Sequence, residues 1–325
     1  MYFSRAVLAV GFLGMSFLHA AKPTVLFTDI GGDVDDTWAV AHILRSPELD
    51  LKLIVTETGE SEYRGRVTAK LLEAAKRTDI HVGLGLDFGV MPDKERHQGP
   101  WVKGYELENY PGQIHKDGIK AFYDLVDATE EKVIVIAIGP ALTLAKAVSD
   151  NPKVAVECDL FGMYGSFRIG YDGSKELAAE YNVADNPKAF RAVMEAPWNS
   201  ITLTPLDTCG LFSLKGDNYA KIWSSMDDPL LQAVIENYCI WAPRVPWIHC
   251  DFFTERSSTL FDDVAVYMAY DGSLLNYETL RFSVDDKGFT KIDEDGPYAA
   301  KVATSWIDMD AFESFLSHRL LGLDI

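Results

Sequence analysis

The sequence predicts an α/β fold, an open, mainly parallel, Rossmann-like sheet with helices on both faces and a small antiparallel β addition near the C-terminus. Three observations carry this. Short apolar runs alternate with amphipathic helical patterns over most of the 325 residues. The runs show little polar alternation, as strands buried on both faces do. Polar clusters follow several of them directly, where open sheets keep their ligand crevice.

Taken in order, TVLFTD (24–29) is the first strand and DTWAVAHILRS (36–46) the helix after it. Strand LKLIVTET (51–58) leads to helix RVTAKLLEAAKR (66–77), and strand IHVGLG (80–85) to helix KAFYDLVDAT (120–129). Strand KVIVIAIG (132–139) precedes helix ALTLAKAVSD (141–150), and strands CDLFGMYG (158–165) and SITLTPL (200–206) follow. LRFSVDDKGFTKI (280–292) and AAKVATSWIDM (299–309) read as the antiparallel addition before a last helix. No repeat, low-complexity linker or compositional break divides the chain, so one domain over 22–325 is expected.

Residues 1–21 have the layout of a secretory signal peptide. Arg5 leads into an apolar run, interrupted by Gly11 and Gly14, and small residues stand at Ala20 and Ala21. The run is short for a membrane span. Export, cleavage and an extracellular location without membrane attachment are therefore expected. Cys158, Cys209, Cys239 and Cys250 remain, in spacings that match no zinc site. Cys158, in a strand, reads as a buried thiol, and export leaves a disulfide among the other three open. There is no N-glycosylation sequon. A formal charge of −19 argues against a nucleic-acid partner and suits a neutral small molecule or a cation. Oligomeric state is not fixed by the sequence, and a homo-oligomer is compatible with it.

The stretch TDIGGDVDD sets Asp29, Asp33, Asp35 and Asp36 beyond the first strand. Such crowding is costly without a counter-ion, so a divalent metal site competes with a plain polar turn. Further polar clusters, TGESEYR, IGPALT and YGSFRIGYDGSKE, fall at other strand ends and make one shared site feasible.

Four segments in order then resemble the inosine–uridine preferring nucleoside hydrolase family. TDIGGDVDD resembles its aspartate cluster, and AIGPALTLAKAV its glycine turn and helix. MYGS with AAEYNVADNPKAF resembles its Met-Gly-Gly segment and Glu-aromatic-Asn motif, and LFDDVAVYMAY the late segment with another metal-binding aspartate. The resemblance implies Ca²⁺ held by Asp29, Asp36, Asp262 and the Ile138 carbonyl. Asp29 would be the catalytic base toward a metal-activated water that cleaves the N-glycosidic bond to free base and ribose. It implies ribose contacts from Asp35, Asn182, Glu180 and Met163, with Glu60 and Ser174 at places of family asparagines, and His115 in a mobile loop. Where the family carries another aspartate and a proton-donating histidine, this chain has Phe27 and Phe261. Trp241, Trp247 and His249 are then the nearest candidates to contact the base. The leading expectation is a secreted, Ca²⁺-dependent ribonucleoside hydrolase acting on small nucleosides. The alternative is a catalytically weak relative that binds nucleosides or a protein partner.

Overall fold

The computed structural model describes residues 20–248 and 250–323. The leader expected over 1–21 lies almost wholly outside them, and so does His249. The strands are β1 (Lys22–Thr28), β2 (Leu49–Thr56), β3 (His81–Gly83), β4 (Ile114–His115), β5 (Val133–Ala137), β6 (Cys158–Met163), β7 (Ser200–Thr204), β8 (Leu275–Val284), β9 (Thr290–Ile292) and β10 (Tyr298–Trp306). They form one sheet in the order β4-β3-β2-β1-β5-β6-β7-β10-β8-β9. The helices are α1 (Asp35–Leu44), α2 (Ser61–Ala74), α3 (Gly118–Asp127), α4 (Leu142–Asp150), α5 (Lys153–Val156), α6 (Tyr181–Ala184), α7 (Pro187–Glu195), α8 (Gly216–Ser224), α9 (Pro229–Trp241), α10 (Phe261–Tyr270) and α11 (Met309–Leu320).

Strand alternation sorts the core into two layers. Leu26, Ile134 and Ile136 face the layer that holds Trp38 of α1, Tyr238 of α9 and Tyr267 of α10. Val25, Phe27, Val133 and Val135 face the other, with Phe122 of α3, Leu144 of α4 and Phe190 of α7. Both faces of the sheet are thus covered, as the unbroken apolar runs predict. The antiparallel addition expected from 280–309 is present as β8, β9 and β10. Strand β10 pairs parallel with β7 (Lys301↔Thr202, Val302↔Leu203) and so extends the main sheet. Only β8, against β10, and β9, against β8, run antiparallel. The two-residue edge strand β4 is too short to leave a sequence signal. All four cysteines are free thiols in this structure, and Cys158 is buried in β6. No helix among the described residues is long and apolar enough to cross a membrane.

The connectivity positions the site. From β1 the chain moves outward through β2, β3 and β4, then returns to the other flank of β1 as β5. The crevice beyond the carboxyl ends of β1 and β5 is therefore the topological switch point, where open sheets bind ligands. The Ile138 amide donates to the Phe27 carbonyl at 2.9 Å, joining the two strand ends at that point.

Phe27 supports this junction from below. Its ring is fully buried and meets Phe122 edge-on, with centroids 5.2 Å apart and an interplanar angle of 88°. Phe27→Ala should lower the free energy of unfolding by about 3–5 kcal/mol in urea titrations. A loss below about 1 kcal/mol would show that the surroundings collapse freely into the space.

Candidate active site

The aspartate-rich loop leaves β1 at Thr28 and enters α1 at Asp35. Four consecutive carbonyls in this loop are each held by a different side chain. Arg64 Nη1 donates to Ile30 O at 3.0 Å, and the Tyr63 hydroxyl to Gly31 O at 2.9 Å. Trp241 Nε1 donates to Gly32 O at 3.0 Å, and Gln98 Nε2 to Asp33 O at 2.8 Å. Gly31 has φ +105°, and a Cβ there would stand 2.8 Å from the Tyr63 ring. Glycine is thus required both by conformation and by space. The Thr28 hydroxyl donates to Asp36 Oδ1 and also accepts the Ile30 amide at 3.1 Å.

This loop carries Asp29, Asp35 and Asp36, and α10 brings Asp262 to them. One carboxylate oxygen each from Asp35, Asp36 and Asp262 lies within 4.8 Å of the others, and all three residues are buried. Asp29 is buried beside Gly139, where a Cβ would stand 2.6 Å from Asp29 Oδ1. Arg64 Nη2 lies 3.8 Å from Asp29 Oδ2, the one ion pair to this group among the described residues. Asn182 Nδ2 donates to the Ile138 carbonyl at 3.3 Å and the Met163 carbonyl at 3.1 Å. Glu180 accepts the amides of Asn182 at 2.7 Å, Gly165 at 3.0 Å and Val183 at 3.3 Å, which fixes the turn that presents Asn182. Asp29, Asp35, Asp36, Ile138, Met163, Glu180, Asn182 and Asp262 therefore form one constellation.

The other residues singled out by sequence make their contacts outside this constellation. Glu60 is bound by Arg96 and by the Met91 amide, 2.9 Å away. His115 Nε2 lies 3.0 Å from His81 Nδ1 on the outer strands β4 and β3. Ser174 is exposed, and its hydroxyl accepts the Glu176 amide at 3.1 Å. Trp247 is exposed and packs against His97 and Trp241. Trp241 itself is fully buried and stacks on Tyr238, so its ring serves the loop and not a ligand face. His249 lies outside the described residues. Phe261 meets Tyr171 edge-on, with centroids 6.1 Å apart.

Two buried residues were not singled out. Arg64 lies within the TGESEYR cluster, and that position was its only signal. Glu57 directly follows β2 and accepts the amides of Thr143 at 2.7 Å and Leu144 at 2.9 Å, capping α4. Neither role is visible without the fold, because the partners lie far along the chain.

Electrostatics agree with the geometry. Burial, compounded by neighbouring carboxylates, pushes Asp35, Asp36 and Asp262 well above the usual carboxylate range. Burial also raises Asp29 despite the opposing pull of Arg64. Glu57 is pushed up to about 8 and Glu180 to about 7, again chiefly by burial. Grouped carboxylates that cannot all ionise are ready ligands for a hard divalent cation, whose charge reverses that preference. The donor set is oxygen only, so the residues fit such an ion.

The comparisons with known proteins agree. Residues 24–314 match the family model described as inosine-uridine preferring nucleoside hydrolase. A probable uridine nucleosidase 2 of Arabidopsis thaliana is 28% identical over 52% of this chain and 54% of its own length. The match thus spans about half of that relative. The non-specific ribonucleoside hydrolase RihC of Klebsiella pneumoniae is 25% identical over 66% of this chain and 72% of its own. Among solved structures, a purine-preferring ribonucleoside hydrolase from Gardnerella vaginalis superposes with a TM-score of 0.74 at 20% identity, over 93% of this chain and 98% of that one.

Folding raises the pKa of these carboxyl groups above their unfolded values of 3.8 for Asp and 4.5 for Glu. The cation-free folded chain therefore binds more protons than the unfolded one between those values and about 8. That contribution is complete at low pH and is lost as pH rises through the folded values. In chelator, melting temperature should fall as pH is raised from about 4 to 8, and a saturating divalent cation should flatten the fall. Parallel curves with and without the cation would show that it does not bind here.

The match over residues 24–314 places this chain in the inosine-uridine preferring nucleoside hydrolase family, whose members are N-glycosidases that hydrolyse ribonucleosides.

Proposed function

We propose that this protein is a secreted, Ca²⁺-dependent ribonucleoside hydrolase that releases a free base and ribose. The observation that carries the reading is the buried trio Asp35, Asp36 and Asp262 at the switch point, with buried Asp29 packed against Gly139, the residue after Ile138. Asp29, Asp36, Asp262 and the Ile138 carbonyl would hold the ion. Ca²⁺ suits this set because it takes six to eight oxygens in loose geometry and tolerates sugar hydroxyls among them. Asn182 already donates to the Ile138 carbonyl, which keeps a second lone pair for the ion. When bound, a divalent ion acidifies a coordinated water.

The chain's own residues supply the rest. Asp29 takes a proton from the attacking water, and Arg64, 3.8 Å away, favours its charged form. Asp35 accepts a hydrogen bond from a ribose hydroxyl, and Asn182 offers another contact. The surrounding carboxylates stabilise positive charge on the ribose as the glycosidic bond breaks. Export is supported by the layout of residues 1–21 and by the start of β1 at Lys22, directly after the expected cleavage site.

Released reducing sugar should be measured across inosine, uridine, adenosine, guanosine and nicotinamide riboside. Turnover of at least one is expected, with loss after exhaustive chelation and recovery with Ca²⁺. Full activity in metal-free protein would sink the metal-dependent reading. Nucleoside binding without any released ribose would replace hydrolysis by a binding role.

Asp29→Asn should lower kcat by about 10²–10⁴-fold, the usual loss for a general base, with little change in circular dichroism. A variant that keeps most of its kcat would assign the base elsewhere.

A further inference from the structure

Behind the carboxylate trio lies a buried polar chain that the chemistry above does not use. His42, on α1, is fully buried, as is Asp263 on α10. His42 Nδ1 lies 3.1 Å from Asp263 Oδ1, and His42 Nε2 lies 2.8 Å from the Tyr270 hydroxyl. A carboxylate can only accept, so Nδ1 carries the proton toward Asp263 and Nε2 accepts from Tyr270 O–H. Both ring nitrogens are thereby satisfied.

The placement of these bonds gives them meaning. Asp263 directly follows Asp262, and His42 sits two turns beyond Asp35 and Asp36 on α1. Asp263 and Tyr270 are likewise two turns apart on one stripe of α10, so His42 grips that helix at two points. An apolar contact could join α1 and α10 with equal or greater stability. Directional bonds do something that an apolar contact does not, which is to fix rotation and register. A carboxylate roughly 5 Å from a helix axis moves about 1 Å when the helix turns by about 10°. Metal-ligand distances tolerate only about 0.2 Å.

We propose that His42, Asp263 and Tyr270 are positioning residues that lock α10 against α1, set the separation of Asp262 from Asp35 and Asp36, and so tune cation affinity. This rests on the reading of the trio as part of a Ca²⁺ site.

Ca²⁺ affinity of the full chain, measured by chelator competition, tests it, with urea unfolding in chelator as the second readout. Asp263→Ala should raise the Ca²⁺ Kd by about 10–100-fold, the size of loss seen when residues outside the ligand shell that orient a metal site are removed. Asp263→Asn keeps an acceptor for His42 and should stay within a few-fold of wild type. Tyr270→Phe, which loses one of the two grips, should fall between them. Should Asp263→Ala fail to fold, Tyr270→Phe decides alone. Variants that lose stability in chelator yet bind Ca²⁺ like wild type would overturn the proposal and leave a packing role. Wild-type protein that does not bind Ca²⁺ would overturn the underlying reading instead.

Discussion

Four carboxylates buried around one crevice, with one guanidinium paired to them, are the constraint to which the rest of the structure answers. Taking several like charges out of water into one small volume is among the most costly arrangements a chain can adopt. It persists only if the backbone that bears the charges cannot relax away from them. The four held carbonyls from Ile30 to Asp33 supply that rigidity, and they draw on α2, α9 and the turn at Gln98. The helices packed around this loop are therefore more than covering for a sheet. Helix α2 contributes two donors and α9 one to a loop that would otherwise open.

The sheet topology explains why the charges can be gathered at all. Reversal of the strand order between β1 and β5 splays the connections and leaves a crevice where two strand ends meet. The trio also comes from the first turns of two helices. Asp35 and Asp36 start α1, and Asp262 lies in the first turn of α10. Helix N-termini carry partial positive charge, which offsets some of the repulsion between the carboxylates. This offset falls off within a turn and is small beside the cost of burial. A cation bound there would complete what the helix ends begin.

Much of the fold and the grouping of carboxylates at the candidate site was legible in the sequence, because both are written in local patterns. Buried strands show as apolar runs, and Asp29, Asp35, Asp36, Asn182 and Asp262 stand in compact motifs. The features that were not legible all depend on partners distant in the chain. Glu60 read as a sugar contact, yet it is bound by Arg96, whose position gives no hint of the pairing. Trp241 read as a possible platform for the base, yet α9 turns its indole inward to Gly32. The His42–Asp263 pair joins residues 221 positions apart. The parallel pairing of β10 with β7 is likewise a property of the connection and not of the strand.

The aromatic side of the site bears on how a base could leave. Phe261 stands immediately before Asp262 and offers no proton, while Tyr171 packs edge-on against it. The Tyr171 hydroxyl accepts the Tyr181 amide, and burial raises both phenols above their ordinary values. Such phenols keep their protons at neutral pH and are poor acids. On the proposed reading, this face of the site favours contact with the base through ring surfaces over proton delivery to it. Ring contacts of this kind are worth about 0.5–1.5 kcal/mol beyond area burial, far less than the 10²–10⁴-fold a positioned acid supplies. On that reading, most of the barrier would be lowered on the ribose side, by the carboxylates. The burial of so much negative charge beside Ile138 and Asn182 is consistent with that division of labour.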